Sequence, residues 1–258
     1  MTKEPNPTNG LTQLTALTPA RIGLVRSGSS ISTQDILQFD LDHARARDAV
    51  HLPFDPAAVA EDLDARQIPS IRVRSAAVDR TTYLQRPDLG RQLDEPSRQR
   101  LKSYPWSGNG NIDLAVVIAD GLSARAIHSN AMALIDSFRQ CSADCGWQWA
   151  PVVIAFQSRV ALADEIGQMF NARMSVILIG ERPGLSAADS MGIYLTHAPR
   201  IGCTDAQRNC ISNIRPAGLK PEKAALQLKE LISASFRLGL SGVNLKITGD
   251  GKPALSFQ

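Results

Sequence analysis

The residue types best suited to chemistry stand just after short apolar runs in the second half of the chain. Gly180-Glu181-Arg182-Pro183-Gly184-Leu185 closes the run from Ser175 to Ile179. It sets a carboxylate and a guanidinium in a stiff turn framed by two glycines and a proline, which offers acceptor oxygens and N–H donors to a ligand carrying amides. The same string also makes a self-contained Glu–Arg turn. Asp120-Gly121 closes the run from Leu114 to Ala119, and Gln157-Ser158-Arg159-Val160 closes the run from Val152 to Phe156. Cys210 belongs to Arg208-Asn209-Cys210-Ile211-Ser212-Asn213-Ile214-Arg215-Pro216, a polar and largely aperiodic stretch. A loop so dense in Asn, Ser and Arg suits polar ligand contacts, and equally a plain surface loop.

Other chemistries lack their motifs. Gly108-Asn109-Gly110 precedes the first long apolar run instead of following it, so it fails as a dinucleotide fingerprint, and there is no Walker loop. Gly121-Leu122-Ser123-Ala124-Arg125 has Arg125 where a nucleophile elbow needs its second glycine. Asp120 as a phosphatase nucleophile would want a second carboxylate two positions on, where Leu122 sits, so turn geometry with an N-cap is the better role for Asp120-Gly121. Arg26-Ser27-Gly28-Ser29-Ser30 reads as capping ahead of a helix. Cys141, Cys145 and Cys203 read as ordinary thiols, because neither cysteine spacing matches a zinc pair and the four histidines are scattered. No general base stands beside a nucleophile, so the chain reads as a ligand-holding subunit and not a complete active site.

Short apolar runs alternating with helical stretches position these residues. Leu114–Ala119, Val152–Phe156 and Ser175–Ile179 read as strands buried on both faces, and the helical spacing over Leu122–Phe138 and Val160–Met169 reads as crossover helices. The expected fold class is α/β: a Rossmann-like parallel sheet domain over 110–258, with a smaller, mostly helical N-terminal region over 19–105 and a loose tail over 1–18. In that region Ile31–His51 reads as an amphipathic helix capped by Ser32 or Thr33, and the alternation Ile71, Val73 within Ile68–Ala77 as a half-buried strand. The turn formers of Tyr104–Asn111 mark the linker. Ligands bind outside the carboxyl ends of parallel strands, so the loops at Asp120, Gln157 and Gly180 should share one edge.

Composition limits the setting. The chain has 258 residues with 28 Lys or Arg against 25 Asp or Glu, and a net charge of +3 argues against a dedicated nucleic-acid binder. From Arg66 to Lys102 nine basic residues face four acidic ones, a net of +5, which leaves −2 for the remainder. That arginine block is either a solvated face or a docking surface. No apolar run approaches the roughly 18–20 residues of a membrane span and no signal peptide opens the chain, so a cytoplasmic protein with reduced cysteines is expected.

Six strings carry a family resemblance: Arg21-Ile22-Gly23-Leu24 with the Asp42–Val50 helix, Tyr83–Arg91, Ala119–Ala124, Arg159-Val160, Gly180–Leu185 and Cys210–Ile214. Together, and in this order, they resemble the small (light) subunit of ethanolamine ammonia-lyase, from about Ala20 to Leu245. The resemblance implies an adenosylcobalamin enzyme that turns ethanolamine into acetaldehyde and ammonia by radical chemistry. Its large subunit, a TIM barrel, holds the substrate, and the cobalamin lies between the subunits. It further implies that cofactor contacts fall on Val160, Glu181 and Cys210, with Arg159 as a second candidate. Val160 would pack on the corrin or present backbone amides, Glu181 would accept hydrogen bonds, and Cys210 would make a soft contact near the nucleotide. The Asp-x-His-x-x-Gly motif that supplies a protein histidine to cobalt is absent, so binding is expected base-on, with no catalytic residue and no metal ligand from this chain. The arginine block would then dock on the large subunit. A purely structural subunit, or a Rossmann-like hydrolase using Asp120, are the alternatives. The resemblance also suggests a higher-order hetero-oligomer, and it leaves open whether the complex sits inside a bacterial microcompartment.

Overall fold

The computed structural model describes residues 14, 17–18, 20–22, 24, 26–105, 111–247 and 253–255. The described elements of the first part are β1 (Arg26–Ser27), β2 (Ser30–Ile31), α1 (Thr33–His51), α2 (Pro56–Asp64), β3 (Ser70–Arg74), α3 (Arg80–Gln85) and α4 (Glu95–Ser103). Then come β4 (Leu114–Ala119), α5 (Ala124–Cys141), β5 (Val152–Phe156), α6 (Leu162–Met169), β6 (Met174–Gly180), β7 (Met191–His197), β8 (Arg208–Ile214), α7 (Pro221–Leu238), β9 (Leu245–Ile247) and β10 (Pro253–Leu255). The protein is thus mixed α/β. The expected tail at 1–18, apart from Leu14, Leu17 and Thr18, and the centre of the turn cluster at 104–111 lie outside the described residues.

Six strands form one sheet in the order β3-β5-β4-β6-β7-β8. The first four run parallel, and β7 and β8 continue it antiparallel. The all-parallel expectation is corrected there: the short turn from Gly180 to Met191 is too brief for a crossover helix, so the chain hairpins back. All six residues of β4 are buried, which an apolar strand tolerates only with both faces covered. On one face Val116, Ile118, Ile154 and Val176 meet Ile127, Leu134 and Phe138 of α5, Leu228 and Leu231 of α7, and Leu63 of α2. On the other, Val117, Val153 and Ile177 meet Leu162 and Ile166 of α6 and Leu101 of α4.

The anticipated strand around Ile71 and Val73 forms as β3 and pairs in parallel with β5, so it extends the same sheet as the later strands. The expected helix at Ile31–His51 forms as α1, and Ser32 caps it, its Oγ accepting from the Asp35 N–H at 3.1 Å. Its packing differs from expectation. Only Ala49 of α1 is buried, whereas Ile36, Leu37, Phe39 and Leu41 are exposed.

The arginine block is consumed within the chain. Arg66 bonds Asp136 at 2.8 Å, Arg98 bonds Glu165 at 2.6 Å, Arg86 bonds Asp88 at 2.6 Å, and Arg100 donates to the Arg72 carbonyl at 2.6 Å. Arg74 reaches Asp94 and Arg80 reaches Asp120. Buried Arg208 pairs with buried Asp164, which fixes β8 to α6.

Leu134 is 1% exposed. Leu134→Ala is expected to lower the unfolding free energy by about 2–5 kcal/mol in urea denaturation. Leu37→Ala on the exposed face of α1 should change it by less than about 0.5 kcal/mol.

Candidate functional site

The helices after β4 and β5 depart to opposite faces of the sheet, α5 to one and α6 to the other. A crevice therefore opens between the carboxyl ends of these neighbouring strands, the position at which parallel α/β sheets take ligands. The loops at Asp120, Gln157 and Gly180 do share this edge.

Two glycines let the edge close tightly. Gly121 has φ +54°, and a Cβ there would run into the Gly180 carbonyl oxygen. A Cβ on Gly180 would run into the carbonyl oxygens of Asp120 and Ser123. The Leu122 N–H donates to the Gly180 carbonyl at 2.9 Å, which locks the turn after β4 onto the end of β6. The N-cap expected at Asp120-Gly121 falls instead on Ser123, whose Oγ accepts from the Ala126 N–H at 3.2 Å.

Asp120 has a different role. It is 4% exposed, its Oδ1 accepts from the Ser158 N–H at 3.1 Å, and its Oδ2 lies 3.4 Å from Arg80 Nη1. Burial pushes its carboxyl up to about 6, against the pull of those N–H groups and of Arg80. Engaged on both oxygens and closed off from solvent, it is a structural carboxylate and not a nucleophile open to a phosphoester.

Around it stand residues to which the sequence assigned no chemical role. Tyr83, fully buried, donates from its hydroxyl to the Ser158 carbonyl at 3.0 Å. Its ring lies under two guanidinium groups, with Arg159 4.3 Å and Arg80 4.8 Å from the centroid. Burial drives the phenol far above its usual range, and the Asp120 charge adds to the rise. The only signal in the sequence was the Tyr83–Arg91 string, which carries no spacing that points to the strand ends.

A cleft of about 390 Å³ opens along this edge. Leu122, Ile179 and Tyr194 give it apolar walls, with Val160 at one side and Glu181 and Arg182 at the other. Arg159 lines it as well; its N–H donates to the Gly90 carbonyl at 2.8 Å and Nη2 to the Tyr83 carbonyl at 3.2 Å, while the buried Nε has no partner. Glu181 is oriented by Ser190, whose Oγ donates to Oε2 at 2.5 Å, and by the Asn213 N–H at 3.3 Å. Val160, Arg159 and Glu181 thus meet in one cleft.

Cys210 does not line it. Arg208–Ile214 forms edge strand β8, and Cys210 pairs there with Tyr194 of β7. The polar composition taken for a loop belongs to a strand with one solvated side, where Asn and Ser replace apolar residues at no cost in core. The residue is exposed at the sheet edge, yet its thiol faces Tyr194; burial on that side pushes the thiol up, and the nearby Glu181 charge adds to this. Cys210 therefore reaches the cleft only through Tyr194, a wall residue with no motif of its own.

Fold and cleft together define a mixed α/β protein with a cleft at its strand ends, where apolar walls, a guanidinium N–H without an acceptor among the described residues and a braced carboxylate converge. Comparison with known proteins narrows the class. The family model for the ethanolamine ammonia-lyase light chain (EutC) matches residues 8–246, and the chain belongs to that family. It is 54% identical over 233 residues to the ethanolamine ammonia-lyase small subunit of Pseudomonas aeruginosa strain PAO1, covering 90% of this chain and 85% of that one. Against the small subunit of Pseudomonas putida strain W619 the identity is 52% over 242 residues, 94% of this chain and 89% of the relative. The Pseudomonas fluorescens strain Pf0-1 small subunit gives 52% over 248 residues, 95% and 90%.

The folded-state carboxyl of Asp120 lies above its ordinary value of 3.8. The folded protein holds this proton longer than the unfolded chain does, so stability is greatest below pH 3.8 for this group and is lost as pH rises to about 6. Urea unfolding between pH 4 and 7 should show that loss, and Asp120→Asn should flatten it.

Proposed function

We propose that this chain is the cobalamin-binding small subunit of an adenosylcobalamin-dependent ethanolamine ammonia-lyase. It covers one side of the corrin at the interface with a large subunit, which holds ethanolamine, and the complex converts ethanolamine to acetaldehyde and ammonia. The observation that carries this reading is the cleft at the carboxyl ends of β4, β5 and β6, where Val160, Arg159 and Glu181 converge. Cobalamin is a flat apolar macrocycle fringed with primary amides, and the cleft has matching chemistry. Arg159 Nε is buried with no acceptor of its own and suits an amide carbonyl oxygen. Glu181, braced by Ser190, keeps lone pairs for an amide or hydroxyl donor. Val160 supplies apolar contact.

Adenosylcobalamin supplies the radical when its cobalt–carbon bond breaks; this chain's task is to hold and orient it. Tyr194 walls the cleft, and Cys210, paired with it from edge strand β8, makes its soft contact toward the nucleotide tail from outside the cleft. Val160, Arg159 and Glu181 would hold the cofactor, and with no Asp-x-His-x-x-Gly motif in the sequence its own base would stay on cobalt. The sheet is read as a Rossmann-like cobalamin-binding domain; the expected boundary at 105–110 is redrawn, because β3 belongs to the same sheet as the strands of 110–258, and the docking region falls to α1, ahead of β3.

Within the expected docking region over 19–105, α1 is the stronger surface. Six of the eight arginines of the 66–102 block are occupied inside the chain, whereas α1 exposes Ile36, Leu37, Phe39 and Leu41. Large apolar side chains left exposed on one helix are what a permanent partner covers.

Two measurements test these assignments. In the complex with the large subunit, Glu181→Ala should weaken cyanocobalamin binding roughly five- to twentyfold, as loss of a charge-assisted hydrogen bond does. Unchanged affinity in both Glu181→Ala and Cys210→Ala would leave only a structural subunit. Leu37→Asp should weaken association with the large subunit roughly tenfold or more in sedimentation, with the melting temperature of the chain unaltered because that side chain is 63% exposed.

A further inference from the structure

A second cleft, of about 280 Å³, lies on the other side of the Asp120-Gly121 turn, between the ends of β4 and β5. Arg80, Asp120 and Gln157 form its polar wall, and His51 and the Leu52–Phe54 strap its apolar one. The strap is pinned: Phe54 stacks on His128 at 5.4 Å, and the Asp55 N–H donates to His128 Nε2 at 3.2 Å.

Arg80 is fixed within this cleft. Its Nε donates to the Val50 carbonyl at 2.9 Å, its Nη1 to the Gly121 carbonyl at 2.8 Å, and its guanidinium lies over the Tyr83 ring. The remaining nitrogen, Nη2, is buried with no acceptor among the described residues. Gln157 sits at the tip of β5 in the left-handed region, with φ +59°, and its Oε1 is buried with no donor among the described residues. Buried polar atoms without partners are rare, and each costs roughly 1–3 kcal/mol. Here a donor lacks an acceptor and an acceptor lacks a donor on the walls of one cleft. A primary carboxamide satisfies both at once, with its oxygen on Arg80 and its NH₂ on Gln157.

We propose that this cleft seats one peripheral carboxamide arm of the corrin, with Arg80 donating to its oxygen and Gln157 accepting from its nitrogen. The inference rests on the cobalamin reading above and adds the residues that fix the ring's rotation. The two clefts adjoin: Asp120 walls one and Gly121 the other, and Arg80 and Arg159 share the Tyr83 ring. A macrocycle over the first cleft extends an amide arm naturally into the second.

The test measures binding of cyanocobalamin, and of analogues in each of which a single peripheral carboxamide is replaced by a carboxylate, to the assembled complex by equilibrium dialysis. Gln157→Leu should weaken cyanocobalamin binding about tenfold, and for one analogue alone the loss should vanish, because the arm that Gln157 reads is already altered there. Gln157→Asn keeps an amide, tolerates the left-handed backbone and is one methylene too short; it should give the same pattern and stands in if the leucine variant misfolds. Equal losses on every analogue, or no loss on any, overturn the proposal. So does weaker subunit association at unchanged cobalamin affinity, which would put a large-subunit backbone amide in the cleft. If the large subunit alone binds cyanocobalamin as tightly as the complex does, the cobalamin reading itself falls, and that outcome is separable from failure of the Gln157 pattern.

Discussion

Asp120 is the constraint on which the site depends. It ends the central strand β4, is 4% exposed, and spends one oxygen on the Ser158 N–H and the other on Arg80. The first bond fixes the loop after β5, which carries Gln157, Arg159 and Val160. The second holds Arg80, whose other donors tie down the end of α1 and the Gly121 turn. A carboxylate is costly in this position, and it is retained because no other short side chain accepts from both a backbone amide and a guanidinium in so little space. Removing it would free two walls of the cleft edge at once, and leave the half-buried Arg80 guanidinium without its counter-ion.

The glycine pair Gly121 and Gly180 completes the frame. With no Cβ on either, the turn after β4 lies directly on the end of β6, and the Glu181 turn leaves the sheet at a fixed angle. The ligand edge is thus rigid where it is built from backbone and adaptable only in its side chains. Such preorganisation suits a large, stiff ligand, since little ordering entropy is left to lose on binding. It also explains why the site has many bracing contacts and few free groups: Ser190 on Glu181, Tyr83 under two arginines, Gly90 on Arg159.

The sheet was legible because its signal is local. Leu114–Ala119, Val152–Phe156 and Met174–Gly180 are short apolar runs punctuated by Gly or polar residues, and each became a strand whose carboxyl end faces the site. Val160 and Glu181 were reachable from short strings at those ends. β8 was not, because Arg208–Ile214 is an edge strand, and its polar residues look like a loop until the pairing with β7 is known. Arg80, Tyr83 and Tyr194 were invisible for a related reason. They come to the site from distant segments, through tertiary contacts that leave no spacing in the chain. The burial of α1 was misjudged on the same ground: an apolar stripe shows that something must cover it, but not whether the cover lies in this chain.

That last point bears on the charge distribution. Arginines clustered in sequence suggest a charged docking face, yet most of the 66–102 block bonds to carboxylates and carbonyls of the same chain, some of them more than sixty residues away. Local clustering along the sequence is therefore poor grounds for a charged surface, since each arginine can be drawn inward by its own partner. What remains outward is apolar: Ile36, Leu37, Phe39 and Leu41 on a helix that buries a single alanine. A helix with so little contact to its own core gains its stability from caps and local pairs, such as Ser32 with Asp35 and Arg21 with Asp42, or from a partner. Apolar surface, once covered, holds its contact at salt concentrations that weaken paired surface charges. The chain thus directs most of its clustered arginines to its own carboxylates and carbonyls, and leaves large apolar side chains of α1 exposed.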